Sequence, residues 1–304
     1  MKKNLLIPII YTLLSFIMCS CSSSKQSIAI NQPAKEPAVM IKESSSSSAV
    51  EEKKVTSVDV NEPVEIVKSP TPESIAEKYK NQIPKQWGER VTGIKTSLDT
   101  TDKVISLTFD ACGGPGSNGY DEELINNLIE EQVPATLFIN YRWIDANKDT
   151  FIKLSQNSLF EIENHGYTHS PLSVNGKSAY NISGTKNVDE VLKEVMMNQE
   201  KIGSLTGQKP LFFRPGTAYS DEVSVSLVNE LGLDVVGYNV LGDAGATFNS
   251  AQIKASCLKA DAGSIILLHM NHPEKQTYEG MRLVIPELKR KGFKFVKLSE
   301  YKLK

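Results

Sequence analysis

A small set of side chains in this sequence could act together on one bond. Asp110 closes the apolar run VISLTFD, His165 and His169 stand four apart in NHGYTH, Arg214 follows two phenylalanines in FFRPG, and His269 closes IILLH. Imidazoles at that spacing can reach one metal ion from a turn or short helix; a solvated polar loop is the alternative for the same pair. A lone Asp, Arg or His at a strand end is commonly a cap or a surface ion pair. Together the residues supply a general base, two neutral nitrogen ligands, a cation to pair with the base and a potential acid. His272, the last of the 4 histidines, lies in the loop after His269. Gly113, Gly114 and Gly116 mark a turn where backbone can approach a ligand.

Such chemistry requires the residues to share one rim. Val104, Ile105, Leu107 and Phe109 form a short apolar run with β-branched members, which predicts a buried strand stopping at Asp110. Further strands are predicted over 134–140, 159–163, 211–213, 233–237, 264–268 and 293–297. Helical spacing marks 121–131, 149–156, 188–205 closed by Gly207, and 221–231 ended by Gly232. It also marks 250–258 capped by Ser250, and 278–291 broken late by Pro286. Strands alternating with helices define the parallel α/β class. About 215 residues, from near Ile83 onward, suffice for one α/β barrel, whose C-terminal strand ends converge on one mouth.

LTFD, NHGYTH, FFRPG and ILLH, in that order and spacing, resemble the polysaccharide deacetylases with the NodB-homology domain, carbohydrate esterase family 4. The resemblance covers 103–297, nearly all of the expected folded region. It implies an irregular (β/α) barrel and a divalent metal, commonly zinc. It also implies removal of acetyl groups from N-acetylated sugars of chitin or peptidoglycan, or of O-acetyl groups from xylan. Carried over, Asp110 would be the base that deprotonates water, and His165 and His169 would ligate metal. Arg214 would orient Asp110, and His269 would protonate the leaving amine. The loop at Gly216 and Thr217 is where the family places the backbone N–H that meets the oxyanion.

The chain departs from the family pattern in three places. Ala111 stands where the family has a metal-binding Asp directly after the base. Cys112 is next; alternation along a strand would put it on the side of Asp110, as a further ligand or as a buried thiol. The loop after Arg214 reads Pro215-Gly216-Thr217-Ala218-Tyr219 in place of a Pro-Pro-Tyr-Gly-like segment. The acid-and-tryptophan motif is reduced to Asp243, which either contacts His269 or Arg214 or lies in a solvated loop.

The N-terminal part reads differently. Lys2 and Lys3, an apolar stretch over 5–18 and the small-residue junction at Ser20 and Cys21 have the layout of a lipoprotein-type signal over 1–21. Lipidation of Cys21 would put the protein in the cell envelope, anchored to a membrane. Residues 22–85 lack a hydrophobic period and carry SSSSS, scattered prolines and mixed charge, which predicts a disordered tether with one short helical piece near 72–79. The deacetylase-like domain is then 86–304. With 34 Lys and Arg against 36 Asp and Glu, the chain shows no nucleic-acid footprint. Beyond the signal only Cys112 and Cys257 remain, which make no disulfide framework. A monomer acting on polysaccharide is expected. The alternatives are a non-catalytic glycan-binding relative that has lost the full metal site, and a deacylase of small acetylated compounds.

Overall fold

The computed structural model of the chain describes residues 71–304. The expected signal, its Cys21 and the tether up to residue 70 lie outside them. Thr71 caps helix α1 (Pro72–Tyr79): it accepts from the Ser74 amide, and the Ser74 hydroxyl accepts from the Thr71 amide. This is the ordered piece expected within 22–85. Its Ile75 and Tyr79 are buried with Val191, Val195 and Val228, so α1 is part of the folded body.

The first strand, β1 (Val104–Ala111), is buried along its whole length. It is followed by α2 (Glu122–Glu130), β2 (Ala135–Ile139), α3 (Tyr141–Ala146), α4 (Lys148–Gln156) and β3 (Phe160–Asn164). Next come the long α5 (Val188–Thr206), β4 (Phe212–Phe213), α6 (Glu222–Glu230), β5 (Asp234–Val235) and β6 (Val240–Leu241). The chain ends with α7 (Ser250–Cys257), β7 (Ser264–His269), α8 (Thr277–Arg290) and β8 (Lys294–Phe295). Every pairing between these strands is parallel, in the order β5-β4-β3-β2-β1-β7-β6, with β8 joining β1 from off that path. The fold is the α/β class expected, as a curled parallel sheet in half-barrel form.

Strand alternation sorts the two faces. Ile105, Leu107, Phe109 and Ala111 of β1 join Leu137 and Ile139 of β2 and Ile266 and Leu268 of β7 in the outer core. Helices α2, α3, α4, α7 and α8 cover that side, supplying Leu124, Trp143, Phe151, Ile253 and Ile285. Val104, Phe138, Ile265 and Leu267 face the other way, into a smaller inner cluster. Asp110 and His269 alternate onto this inner side, which is why they emerge at one rim.

The differences from the sequence reading are local. Helix α3 was not expected; Asn140 caps it by accepting from the Arg142 amide, and buried Trp143 and Ile144 anchor it. Strand β6 is too short to carry a period. Asn249, not Ser250, caps α7, in a capping box with Gln252. Pro286 does not break α8: the helix runs through it, held by buried Met281, Val284, Ile285 and Leu288. Cys112 and Cys257 are both free. Cys257 lies in the outer core, where burial pushes its thiol up to about 12. Among the described residues no helix is long and apolar enough to cross a membrane.

Candidate active site

Asp110 and His269 end neighbouring strands and are register partners. Simple pairing of β1 with β7 therefore sets them side by side, and barrel closure is not needed to bring them together. Asp110 is 4 % exposed. Its Oδ1 accepts from Nη1 of Arg214 at 2.7 Å, and its Oδ2 lies 3.6 Å from Nε2 of His165. Arg214 is fully buried and pinned: Nη1 also donates to Thr108 Oγ1, Nε to the Val236 carbonyl and Nη2 to the Gly237 carbonyl. The guanidinium carbon sits 4.1 Å from the centre of the Phe138 ring. Each guanidinium nitrogen has a fixed acceptor, so this buried ion pair sets where the free carboxylate oxygen points.

The NHGYTH loop leaves the end of β3 and is braced from below. Asn140 Nδ2 donates to the carbonyls of His165 and Gly166. Glu194 of α5, 2 % exposed, accepts from the amides of Thr168 and Ser170 and from the Thr168 hydroxyl. His165 Nδ1 lies 2.8 Å from the Arg214 carbonyl, a contact that requires the proton on Nδ1 and leaves the Nε2 lone pair facing the site. His169 has a left-handed backbone, φ 61. It fits because Gly216 lies against it: a Cβ there would fall 2.1 Å from the His169 carbonyl oxygen.

Cys112 lies on the side of Asp110, as alternation predicts, while Ala111 is 0 % exposed in the outer core. The Cys112 sulfur is 3.8 Å from His165 Nε2. Ligand atoms of Cys112, His165 and His169 lie within 4.8 Å of one another. Burial alone would raise the Cys112 thiol, but His169, His165 and His269 around it outweigh burial and hold it well below its ordinary value. A thiolate and an imidazole whose far nitrogen is tied to a carbonyl suit a divalent ion of borderline softness, so the donor set fits a metal.

Asp243 is fully buried and belongs to His269, not to Arg214 or solvent. Its Oδ1 lies 2.9 Å from His269 Nδ1, while Oδ2 accepts from the His269 amide and the Thr277 hydroxyl. Burial opposes charge on His269, but the Asp243 carboxylate prevails and raises its pKa well above the ordinary value. His272 pairs with Glu274 at 3.1 Å. Asp110, Cys112, His169, Thr217, His269 and His272 all line one cavity of about 780 Å³. Gly216 and Thr217 fall in a single 3-10 turn in which Thr217 and Ala218 have positive φ, and Thr217 Oγ1 is buried without a partner.

Sequence reasoning missed the brace. Glu194, Asn198 and Gln199 interrupt the apolar stripe of α5, and their buried side chains hold the carbonyls and amides beneath the histidine loop. It also missed Glu89, Arg142, Tyr180 and Tyr238, which line the same cavity.

Fold and site together define a parallel α/β half-barrel whose rim carries a buried acid, paired histidines and a thiol. Residues 97–236 match the model of the polysaccharide deacetylase family. Over 214 residues it is 25 % identical to a peptidoglycan-N-acetylglucosamine deacetylase of Bacillus cereus, a match covering 69 % of this chain and 93 % of that protein. A family 4 acetyl xylan esterase from Clostridium thermocellum, solved with a cobalt ion, superposes with a TM-score of 0.53 at 27 % identity, covering 65 % of this chain and 89 % of that one. A family 4 pseudoenzyme from Bacillus anthracis superposes with a TM-score of 0.57 at 21 % identity, covering 68 % and 67 % of the two chains. An acetyl xylan esterase and a pseudoenzyme thus share this fold.

Proposed function

We propose that this protein is a metal-dependent hydrolase that removes acetyl groups from N-acetylated glycan of the peptidoglycan or chitin type. One observation carries the reading: Asp110 and His269 open as neighbours onto the cavity that also receives Cys112 and His169. Cys112, His165 and His169 would hold a divalent ion, which we take as zinc from the thiolate and imidazole donors. When bound, such an ion polarises the acetyl carbonyl and acidifies water.

The protein side of the reaction follows from the geometry. Asp110, held through Oδ1 by Arg214, has Oδ2 free to take the proton of the attacking water. The water oxygen bonds to the acetyl carbon, and the carbon–nitrogen bond breaks. His269, kept protonated by Asp243, gives its proton to the departing nitrogen, so acetate and a free amine leave. A backbone N–H of the 3-10 turn at 216–218, two residues of which line the cavity, would meet the developing oxyanion. The alternative of a non-catalytic glycan binder, drawn from Ala111, is weakened by the Cys112 sulfur at the site. A drifting binder has no chemical reason to keep Asp110, Arg214 and the Asp243–His269 pair.

The test is the metal content of the purified protein, measured with acetate release from peptidoglycan, from N-acetylglucosamine oligomers and from small acetylated amides. Acetate from the glycans with about one ion per chain is expected. Acetate from small amides alone would move the reading to a small-molecule deacylase, and none from any substrate would make it a binder.

We also propose that the protein is anchored to the cell envelope through lipid on Cys21, on the basic, apolar and small-residue order that precedes it. Mass spectrometry of the mature N-terminus is expected to find a diacylglycerol-modified Cys21. An unmodified terminus downstream of it would refute the anchor.

A further inference from the structure

Beside the catalytic cavity lies a second, shallower depression of about 530 Å³, lined by residues 86–91 and Tyr219. Glu89 lines both, so it forms the wall they share. Trp87 and Tyr219 line this depression, and Tyr180, which lines the catalytic cavity, packs against Tyr219. Trp87 and Tyr219 stand 5.8 Å apart between ring centres, and Tyr219 and Tyr180 5.5 Å apart, nearly perpendicular. Tyr180 is 69 % exposed. It sits at the tip of a tight turn closed by paired backbone bonds between Ala179 and Ile182. Both central residues, Tyr180 and Asn181, have positive φ. A turn of this kind favours Asn and Gly, so a tyrosine is held there at a local cost and with its ring in water.

Glu89 ties this edge to the cavity. Its Oε1 accepts from the Tyr180 hydroxyl at 3.3 Å and its Oε2 from the Tyr238 hydroxyl at 2.8 Å. Tyr238 lines the catalytic cavity, and carboxylate oxygens retain further lone pairs for other donors. A pyranose ring has a complementary surface: an apolar face of C–H groups for an aromatic ring and an edge of hydroxyls for a carboxylate. Aromatic walls with few placed polar groups are the usual lining of a small-molecule subsite.

We propose that Trp87, Tyr180 and Tyr219, with Glu89, form a subsite for a further pyranose unit of an N-acetylated glycan, beyond the unit whose acetyl group enters the catalytic cavity. This inference rests on the deacetylase reading and adds the residues that hold the neighbouring unit of the glycan. Most of the subsite, Trp87 and Glu89 included, comes from outside the signature motifs, and those two precede the family-matched stretch.

The experiment compares N-acetylglucosamine dimer with pentamer, using the full chain and its Trp87→Ala, Tyr180→Ala and Trp87→Phe forms. The preference in kcat/KM for pentamer over dimer is expected to fall about 10-fold in each alanine variant, carried by KM. Trp87→Phe, which keeps a ring, is expected to retain most of it. Pentamer binding to the Asp110→Asn protein, read by calorimetry, is expected to weaken by a similar factor when Trp87→Ala is added. Alanine variants that lower both lengths equally, or neither, overturn the subsite while leaving deacetylation intact. Trp87-dependent pentamer binding by a wild-type protein that releases no acetate supports the subsite and removes the deacetylase reading. Absence of pentamer binding overturns the subsite.

Discussion

Asp110→Asn is expected to lower acetate release by about 10²–10⁴-fold, the range for removing a general base. The substitution keeps the side-chain shape and an oxygen for Arg214, so the loss reflects the proton acceptor. Arg214 would retain Thr108 Oγ1 and the carbonyls of Val236 and Gly237, which keeps the buried guanidinium partnered. Metal content and glycan affinity should therefore stay close to wild type, and both are measurable on the same preparation. An Asp110→Asn enzyme within about 3-fold of wild-type rate, far short of the loss a removed base causes, would remove Asp110 from the mechanism.

His269 sets the other limb of the same expectation. Its protonated form is the one that donates, so activity should fall as pH rises through its pKa. Burial lowers that pKa, while Asp243 and the Cys112 sulfur raise it, and the outcome lies above the ordinary imidazole value. The alkaline limb should accordingly lie at higher pH than a free histidine would give. Asp243→Asn removes the largest raising influence and is expected to move the limb to lower pH. His269→Ala should slow amide substrates more than activated esters, whose leaving groups need no proton. Equal slowing of both would point to a positioning role for His269, and His272 would then be the acid to test.

How much of this was legible in the sequence depended on the length of the signal. Long periodic segments such as α2 and α5 and the buried strands β1, β2 and β7 show their period over enough residues to be read directly. Strand β6 and helix α3 do not: one spans two residues, and the other owes its place to Trp143 packing against neighbours distant in sequence. The site was legible where residue type and strand end coincide, as at Asp110, Arg214 and His269. Asp243 was ambiguous because nothing in the residues around it says that its carboxylate is buried; β6 and β7 pairing puts it there. The aromatic edge at Trp87 and Tyr180 was not legible, because its members are far apart in sequence and meet only through Glu89 and Tyr219.

Three substitutions separate the metal ligand set by this chain's geometry from the one suggested by the family pattern. Ala111→Asp restores the family's residue in sequence but not in space. The Ala111 side chain faces the outer core with Phe109, Ile139 and Trp143, so an added carboxylate would be buried without a partner. It is expected to cost about 3–5 kcal/mol of stability, the penalty of an uncompensated buried charge, and to leave metal affinity no stronger. Cys112→Ser should act in the opposite way: the fold survives, because Cys112 is only partly buried at the rim, while the ion is lost. Its loss of affinity should exceed the roughly 10–100-fold caused by altering a group that only hydrogen-bonds to a ligand, since a donor atom itself is removed. Cys112→Asp should keep part of that affinity, because a carboxylate oxygen in the same direction also binds zinc. Thermal melts and competition with a chelator read both quantities on each variant. A stable Ala111→Asp protein that binds its ion more tightly than wild type would show that the end of β1 turns over on substitution. Wild-type chelator resistance in Cys112→Ser would leave His165 and His169 as the protein's ligands, with the thiol as a neighbour that only polarises them.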